Sequence, residues 1–289
     1  MLSKTNYLRS FIKPHSLLYN ASFNSSTTSK EKKWIQVVEN ESKKTACVTM
    51  QRLPANSLNL EFLNELTSVI KELEGKKFRG MILSSSSPTI FSAGLDINEM
   101  YKPEKERLKQ FWTALQNMWK TLYVTPLITV AAVNGHAIAG GCILTLSCDH
   151  SIMVKPRTTI GLNETRLGIF APKWFESVFV NTIGFRNAEN ALKWGTLFTA
   201  EEALKLNMIH EVVDSPAQLQ EKAEEQMEQF LKIPEIAFKM TKNSLRKPFV
   251  DELISYEKEE QESIVKFISQ DSIQAVLEKY IENLKGKKK

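Results

Sequence analysis

"PLITVAAV" (126–133) runs straight into "NGHAIAGGCIL" (134–144). The first stretch is apolar and β-branched, which reads as a strand. In the second, the pair Gly140-Gly141 opens a helix. A strand feeding a helix through small residues is the working unit of an α/β fold, so the question is whether the unit recurs on either side.

It does. Upstream, "WIQVVE" (34–39) and "TACVTMQRL" (45–53) read as a β-pair. "PANSLNLEFLNELTSVIKELE" (54–74) places Phe62, Leu63, Leu66, Ile70 and Leu73 three and four apart, the period of an amphipathic helix. Asn59 suits its N-cap and Glu61 its first turn. "RGMILSSS" (79–86) is a short buried strand before a Ser/Pro loop, and a helix follows at about 103–123. Downstream, "HSIMV" (150–154) and "TTIGL" (158–162) read as further strands. From 173 onward helical periodicity dominates, apart from "MIHEVVD" (208–214), and ends in a tail bearing Leu253, Ile264, Phe267, Ile268, Val276, Tyr280 and Leu284. Such a tail completes a core or an oligomer contact. The expected class is α/β, with helices covering a sheet.

Composition narrows the function. The chain of 289 residues is 42% hydrophobic and 25% charged, ordinary values that exclude a disordered or fibrous protein. Its net charge is +5, but Lys4, Arg9, Lys13 and Lys30 fall in the first thirty residues, which hold no acid. The remainder is nearly neutral, which argues against nucleic acid as a partner. Lys285, Lys287, Lys288 and Lys289 read as a solvated end. The first thirty residues carry seven Ser, with Leu2, Leu8, Phe11, Ile12, Leu17, Leu18 and Tyr19 spaced for an amphipathic helix. Residues 1–33 therefore read as a mitochondrial transit peptide, the alternative being a merely disordered terminus. No apolar run reaches the ~18 residues of a membrane span. Cys47, Cys142 and Cys148 match neither a disulfide framework nor a zinc site.

Three segments could carry chemistry: "FSAGLDI" (91–97), "NGHAIAGGCIL" and "IGLNETRLGI" (160–169). Each has small residues where a strand gives way to a helix or loop. There backbone N–H groups lack internal partners, and two that converge make an oxyanion hole. The glycine spacing does not fit a dinucleotide fingerprint. Glu164 stands among Ile160, Leu162, Leu167, Ile169 and Phe170. Burial there would raise its pKa and make it a general base; a salt bridge to Arg166 is the bland alternative. His136 and His150 belong to no nucleophile triad, and Cys142 has no basic partner. Asp149 reads as a local hydrogen-bonding residue.

"FSAGLDINEM", "NGHAIAGGCILTLSCDH" and "IGLNETRLGIFAPKWF", in that order and spacing, closely resemble the crotonase (enoyl-CoA hydratase/isomerase) superfamily, and its mitochondrial isomerase branch in particular. The likeness runs from about residue 34 to the end. It implies a spiral of ββα units over 34–230 holding an acyl-CoA site, a helical region over 231–289 that completes the core, and a homo-trimer in the mitochondrial matrix. Carried over by position, the N–H groups of Ala93 and Gly140 would hold the thioester oxygen and Glu164 would be the catalytic acid/base. Ala93, Gly94, Leu95, Asp96, Ile97, Gly140 and Asn163 would bind the substrate, a fatty acyl-CoA, with a weaker carry-over at Ala55 to Leu58. Asp96 is given a minor, structural part. No metal or redox cofactor is implied.

One departure separates activities within the family. Its hydratases carry a second glutamate where this chain has Ile143, and an aliphatic side chain cannot position water. The expected reaction is therefore movement of a 3-enoyl-CoA double bond to the 2-position by one base. A hydratase and a non-catalytic crotonase-like binding protein are the alternatives. Trp112, Trp119, Trp174 and Phe175 are candidates for setting acyl length.

Overall fold

The computed structural model describes residues 33–286, so the proposed leader lies, except for Lys33, outside the described residues. The chain from Lys33 onward clusters as one compact unit, with no break at 230/231. In chain order it forms β1 (Ile35–Asn40), β2 (Thr45–Met50), α1 (Leu60–Gly75), β3 (Gly80–Ser85), β4 (Ile90–Ser92), α2 (Lys105–Val124), β5 (Ile128–Val133), β6 (His136–Ile138) and α3 (Gly140–Ser147). There follow β7 (His150–Val154), β8 (Thr159–Gly161), α4 (Lys173–Ile183), α5 (Phe185–Trp194), β9 (Phe198–Thr199), α6 (Ala200–Lys205), β10 (Glu211–Val213), α7 (Pro216–Leu231), α8 (Glu235–Ile268) and α9 (Asp271–Gly286).

Two sheets result. The larger has the order β1-β2-β3-β5-β7-β10, parallel except for the β1–β2 hairpin. The smaller is β4-β6-β8-β9, with the first three strands parallel. Each of the pairs β3/β4, β5/β6 and β7/β8 sends its first strand to the large sheet and its second to the small one. This is the expected ββα spiral. Strands β4 and β6 lie inside segments that had read only as glycine-rich junctions, because three residues are too few to show a period.

The helices form where their signals stood. Asn59 caps α1 by accepting from Phe62 N at 3.1 Å, and Phe62, Leu63, Leu66, Ile70 and Leu73 are all buried. Pro216 opens α7 behind the Ser215 cap. Helix α7 covers the outer face of the large sheet, setting Leu219, Ala223 and Met227 against Ile82, Val130 and Ile152. A Cβ at Gly80 would lie 2.5 Å from the Met227 sulfur, so a larger residue at this strand position would have to push the Met227 side chain aside. The inner face packs on α1, α2 and α3.

Helix α8 is anchored by buried charge. Lys242 Nζ donates to Asp149 Oδ2 at 2.7 Å and to Leu127 O at 2.8 Å, and Arg246 reaches Asp149 Oδ1 at 3.2 Å. Arg246 also donates to the carbonyls of Tyr123, Ser147 and Cys148. Asp149, expected to bond only locally, does accept from Thr129 N at 2.8 Å but is also the centre of this tertiary clamp. Sequence distance hid it: Lys242 lies 93 residues away.

Candidate active site

Parallel pairing of β4, β6 and β8 puts their C-terminal ends side by side. The three motif segments leave from those ends, the usual position of a ligand site in a parallel sheet. They pack tightly. A Cβ on Gly94 would lie 2.7 Å from Ala139 Cβ and 3.0 Å from Gly140 N, while one on Gly141 would lie 2.3 Å from Ser92 O. Gly94 also has φ +86°, a region side chains disfavour.

Alternation along the 93–96 stretch decides which amide is available. Leu58 N donates to Gly94 O and Asp96 N donates to Leu58 O, both close to 2.9 Å, as a parallel bridge to Leu95 requires. The amide of Leu95 must then point the other way, and it has no acceptor among the described residues. Ala93, expected to supply this donor, gives its N–H to Ala55 O at 3.0 Å, and Gly94 gives its own to Ser92 Oγ at 3.2 Å. The free donor of this segment is therefore Leu95 N–H. Ala93 holds the 55–58 loop in place instead.

The second donor is where it was expected. Ala139 N donates to Gly161 O at 2.9 Å, and Ala139 itself sits at φ 51°, a strained conformation for a residue with a Cβ. That turn leaves Gly140 N as the first amide of α3, with no acceptor among the described residues and with the positive end of the helix dipole behind it.

Glu164 opens a single 3-10 turn (Glu164–Leu167) just past β8. It is buried, and its Oε2 has no hydrogen-bond partner. Burial pushes its carboxyl up to about 7. Arg166, the alternative partner, instead donates to Trp194 O at 2.9 Å. Burial, and then the nearby Glu164 charge, holds the Cys142 thiol far above its usual range. Cys142 thus stays a protonated thiol. Asn163 Oδ1, next to Glu164, is likewise buried without a partner. Both oxygens are therefore open to a hydrogen bond from a group outside the chain.

The remaining candidates divide. The Asp96 carboxylate is committed to Arg52 at 2.7 Å and to Asn98 N and Nδ2, so it shapes the loop. Ile97 begins the short 3-10 turn Ile97–Glu99. Ile143 is buried in the apolar core. Trp119 and Trp174 pack with centroids 4.9 Å apart, Trp174 meets Phe175 edge-on at 4.3 Å, and Trp112 is buried with them. His136 hydrogen-bonds Thr159, and His150 pairs with Glu211.

Comparison with known proteins identifies the family. The chain matches the enoyl-CoA hydratase/isomerase family over residues 40–288. It is 46% identical over 245 residues to the mitochondrial enoyl-CoA delta isomerase 1 of Mus musculus, covering 84% of each chain. To the Homo sapiens counterpart it is 43% identical, over 84% of this chain and 81% of that one. The crystal structure of human mitochondrial delta3-delta2-enoyl-CoA isomerase superposes with a TM-score of 0.87 at 41% identity, covering 89% of this chain and all (100%) of that one. An enoyl-CoA hydratase from Bacillus halodurans gives 0.78 at 25% identity, over 85% and 99%. Spiral, junction geometry and sequence agree: this chain belongs to the enoyl-CoA hydratase/isomerase family, the crotonases.

Proposed function

We propose that the protein is a Δ3,Δ2-enoyl-CoA isomerase, moving the double bond of a 3-enoyl-CoA to the 2-trans position in the oxidation of unsaturated fatty acids. The observation that carries this is the lone, buried, unpartnered carboxylate of Glu164 at the strand ends that also present the free amides of Leu95 and Gly140. The thioester oxygen accepts from those two N–H groups. Glu164 removes a proton from the α-carbon, charge collects on the oxygen, and the same carboxyl returns a proton to the γ-carbon. An α-proton is too weakly acidic for a free carboxylate, so stabilising the enolate supplies most of the effect. Each such donor is worth about 2.7–4 kcal/mol, and general-base catalysis adds about 10²–10⁴-fold. The coenzyme A handle contributes binding energy far from the reacting carbons. This proton transfer calls on no metal or redox cofactor. With Ile143 at the place of the hydratases' second acid, that position offers no carboxylate to orient a water for addition.

The exposed apolar side chains Ile236 and Met240, one turn apart on α8, support a contact between copies of the chain, which the family resemblance makes a homo-trimer. The leader 1–33, basic and without an acid in its first thirty residues, supports import to the mitochondrial matrix. A two-substrate assay tests the reaction. The expected result is rapid conversion of 3-hexenoyl-CoA with little hydration of crotonyl-CoA, and a Glu164→Gln variant that binds acyl-CoA but loses about 10²–10⁴-fold in kcat. Faster hydration than isomerisation overturns the proposal.

A further inference from the structure

Helix α9 touches both loops that carry the proposed chemistry. At 100° per residue it presents three rows. Ile273 and Leu277 are buried in the core. On one flank, Gln274 has both ends of its amide in use: Nε2 donates to Met100 O at 2.9 Å and to Ile268 O at 2.7 Å, and Oε1 accepts from Lys102 N at 2.7 Å. One turn on, Glu278 Oε1 accepts from Tyr101 OH at 2.5 Å and from Lys102 Nζ at 3.0 Å. Residues 100–102 directly continue the Leu95–Glu99 segment that bears the free amide. On the other flank Val276 sits on Gly168, where a Cβ would lie 2.8 Å from Val276 Cγ1. Gly168, at φ +73°, ends the short turn that Glu164 opens.

Each loop has other anchors as well, and α9 joins the two. The amide segment follows a three-residue strand and is tied on its inner side by the bridge to Leu58, the Asp96–Arg52 ion pair and Glu99, which accepts from Leu60 N and pairs with Arg107. The base sits on one turn after another three-residue strand, a turn whose Thr165 and Arg166 donate to Leu192 O and Trp194 O on α5 while its far end meets α9. We infer that α9 is a spacer that sets the separation between the amide-bearing loop and the base-bearing turn, so that Gln274 and Val276 are positioning residues for the proton transfer. This rests on the isomerase reading above. Neither residue touches the reacting atoms; each acts through the loop it braces. A shift of about 1 Å between reacting groups costs on the order of 10²-fold in rate.

The test is kinetic, on the full chain with 3-hexenoyl-CoA. The variants are Gln274→Met, which keeps length and loses the three hydrogen bonds, Val276→Ala, which unseats Gly168, and the two combined. The expected result is a kcat about 10- to 100-fold lower in each single variant, with KM within about threefold of the parent and cooperative melting retained. The double variant should be little worse than the poorer single, because spacing lost at one end is no longer set by the other. The pH at which activity reaches half its maximum should also fall in Val276→Ala, since an unseated turn admits water to Glu164. If Gln274→Met does not fold, the kcat and pH profile of Val276→Ala decide alone. An active parent with unchanged kcat in the folded variants overturns the spacer, as does a rise in KM that accounts for the loss. A parent inactive on 3-enoyl-CoA overturns the isomerase reading instead.

Discussion

Glu164 sits where the protein gives up stability for reactivity. An ordinary glutamate titrates near 4.5, whereas burial holds this one near 7. Below pH 4.5 both folded and unfolded chains keep the proton. Between 4.5 and 7 the unfolded chain releases it and the folded chain does not, so stability falls as pH rises through that window and is flat above it. The difference amounts to up to about 3 kcal/mol. Glu164→Gln should therefore melt higher than the parent at pH 8 while matching it near pH 4, read by thermal denaturation at the two pH values. For catalysis the sign is opposite, because only the ionised carboxylate can take a proton. The kcat/KM of the parent should climb with pH and level off above about 7; a profile flat from pH 5 to 9 would remove Glu164 as the base. Alternation matters as much at neighbouring positions. Ala93 and Leu95 both belong to "SAGLD", and only the hydrogen bonds to Ala55 and Leu58 show that the second amide, not the first, is free.

Among the elements, three short parallel strands do the positioning and one long helix does the fastening. Gly94 is pressed between Ile138 O and Gly140 N, so any side chain there wedges the two donor segments apart. Gly94→Ala should lower kcat by about 10²–10³-fold, the cost of losing one oxyanion donor, while acyl-CoA binding measured by calorimetry persists. The clamp of Lys242, Asp149 and Arg246 belongs to stability. Removing one member of a buried pair strands the other charge, so Asp149→Ala should cost about 3–5 kcal/mol in urea denaturation. A loss under 1 kcal/mol would mean that water reaches the site in the folded protein.

At the scale of the molecule, the compact unit from Lys33 onward still leaves large apolar side chains exposed, Trp194 at 76% and Ile236 at 73% among them. If α8 forms the contact between copies, the double change Ile236→Glu with Met240→Lys should convert a trimer to monomers in sedimentation, with the secondary structure unchanged by circular dichroism. A parent that already sediments as a monomer would refute the assembly. No described helix is long and apolar enough to cross a membrane.

Much of this was legible in the chain alone. The repeat of strand, glycine junction and helix, the cap at Asn59, the periodicity of α1, and an acid set in an apolar stretch at 164 are local properties, and local sterics and hydrophobic period write them directly into the residue order. Ile143 in place of an acid is local too, and with the resemblance it bore directly on the expected reaction. Three features were beyond the sequence because they depend on which distant backbones meet. The pairing of β4, β6 and β8 joins segments some 45 and 25 residues apart through runs too short to signal a strand. The direction of the Leu95 amide depends on a bridge to Leu58. The seating of Gln274 and Val276 on loops more than a hundred residues upstream follows from how α9 folds back. Periodicity constrains which side of an element is apolar; it carries no information on which partner covers that side, and that partner decides which amides remain free.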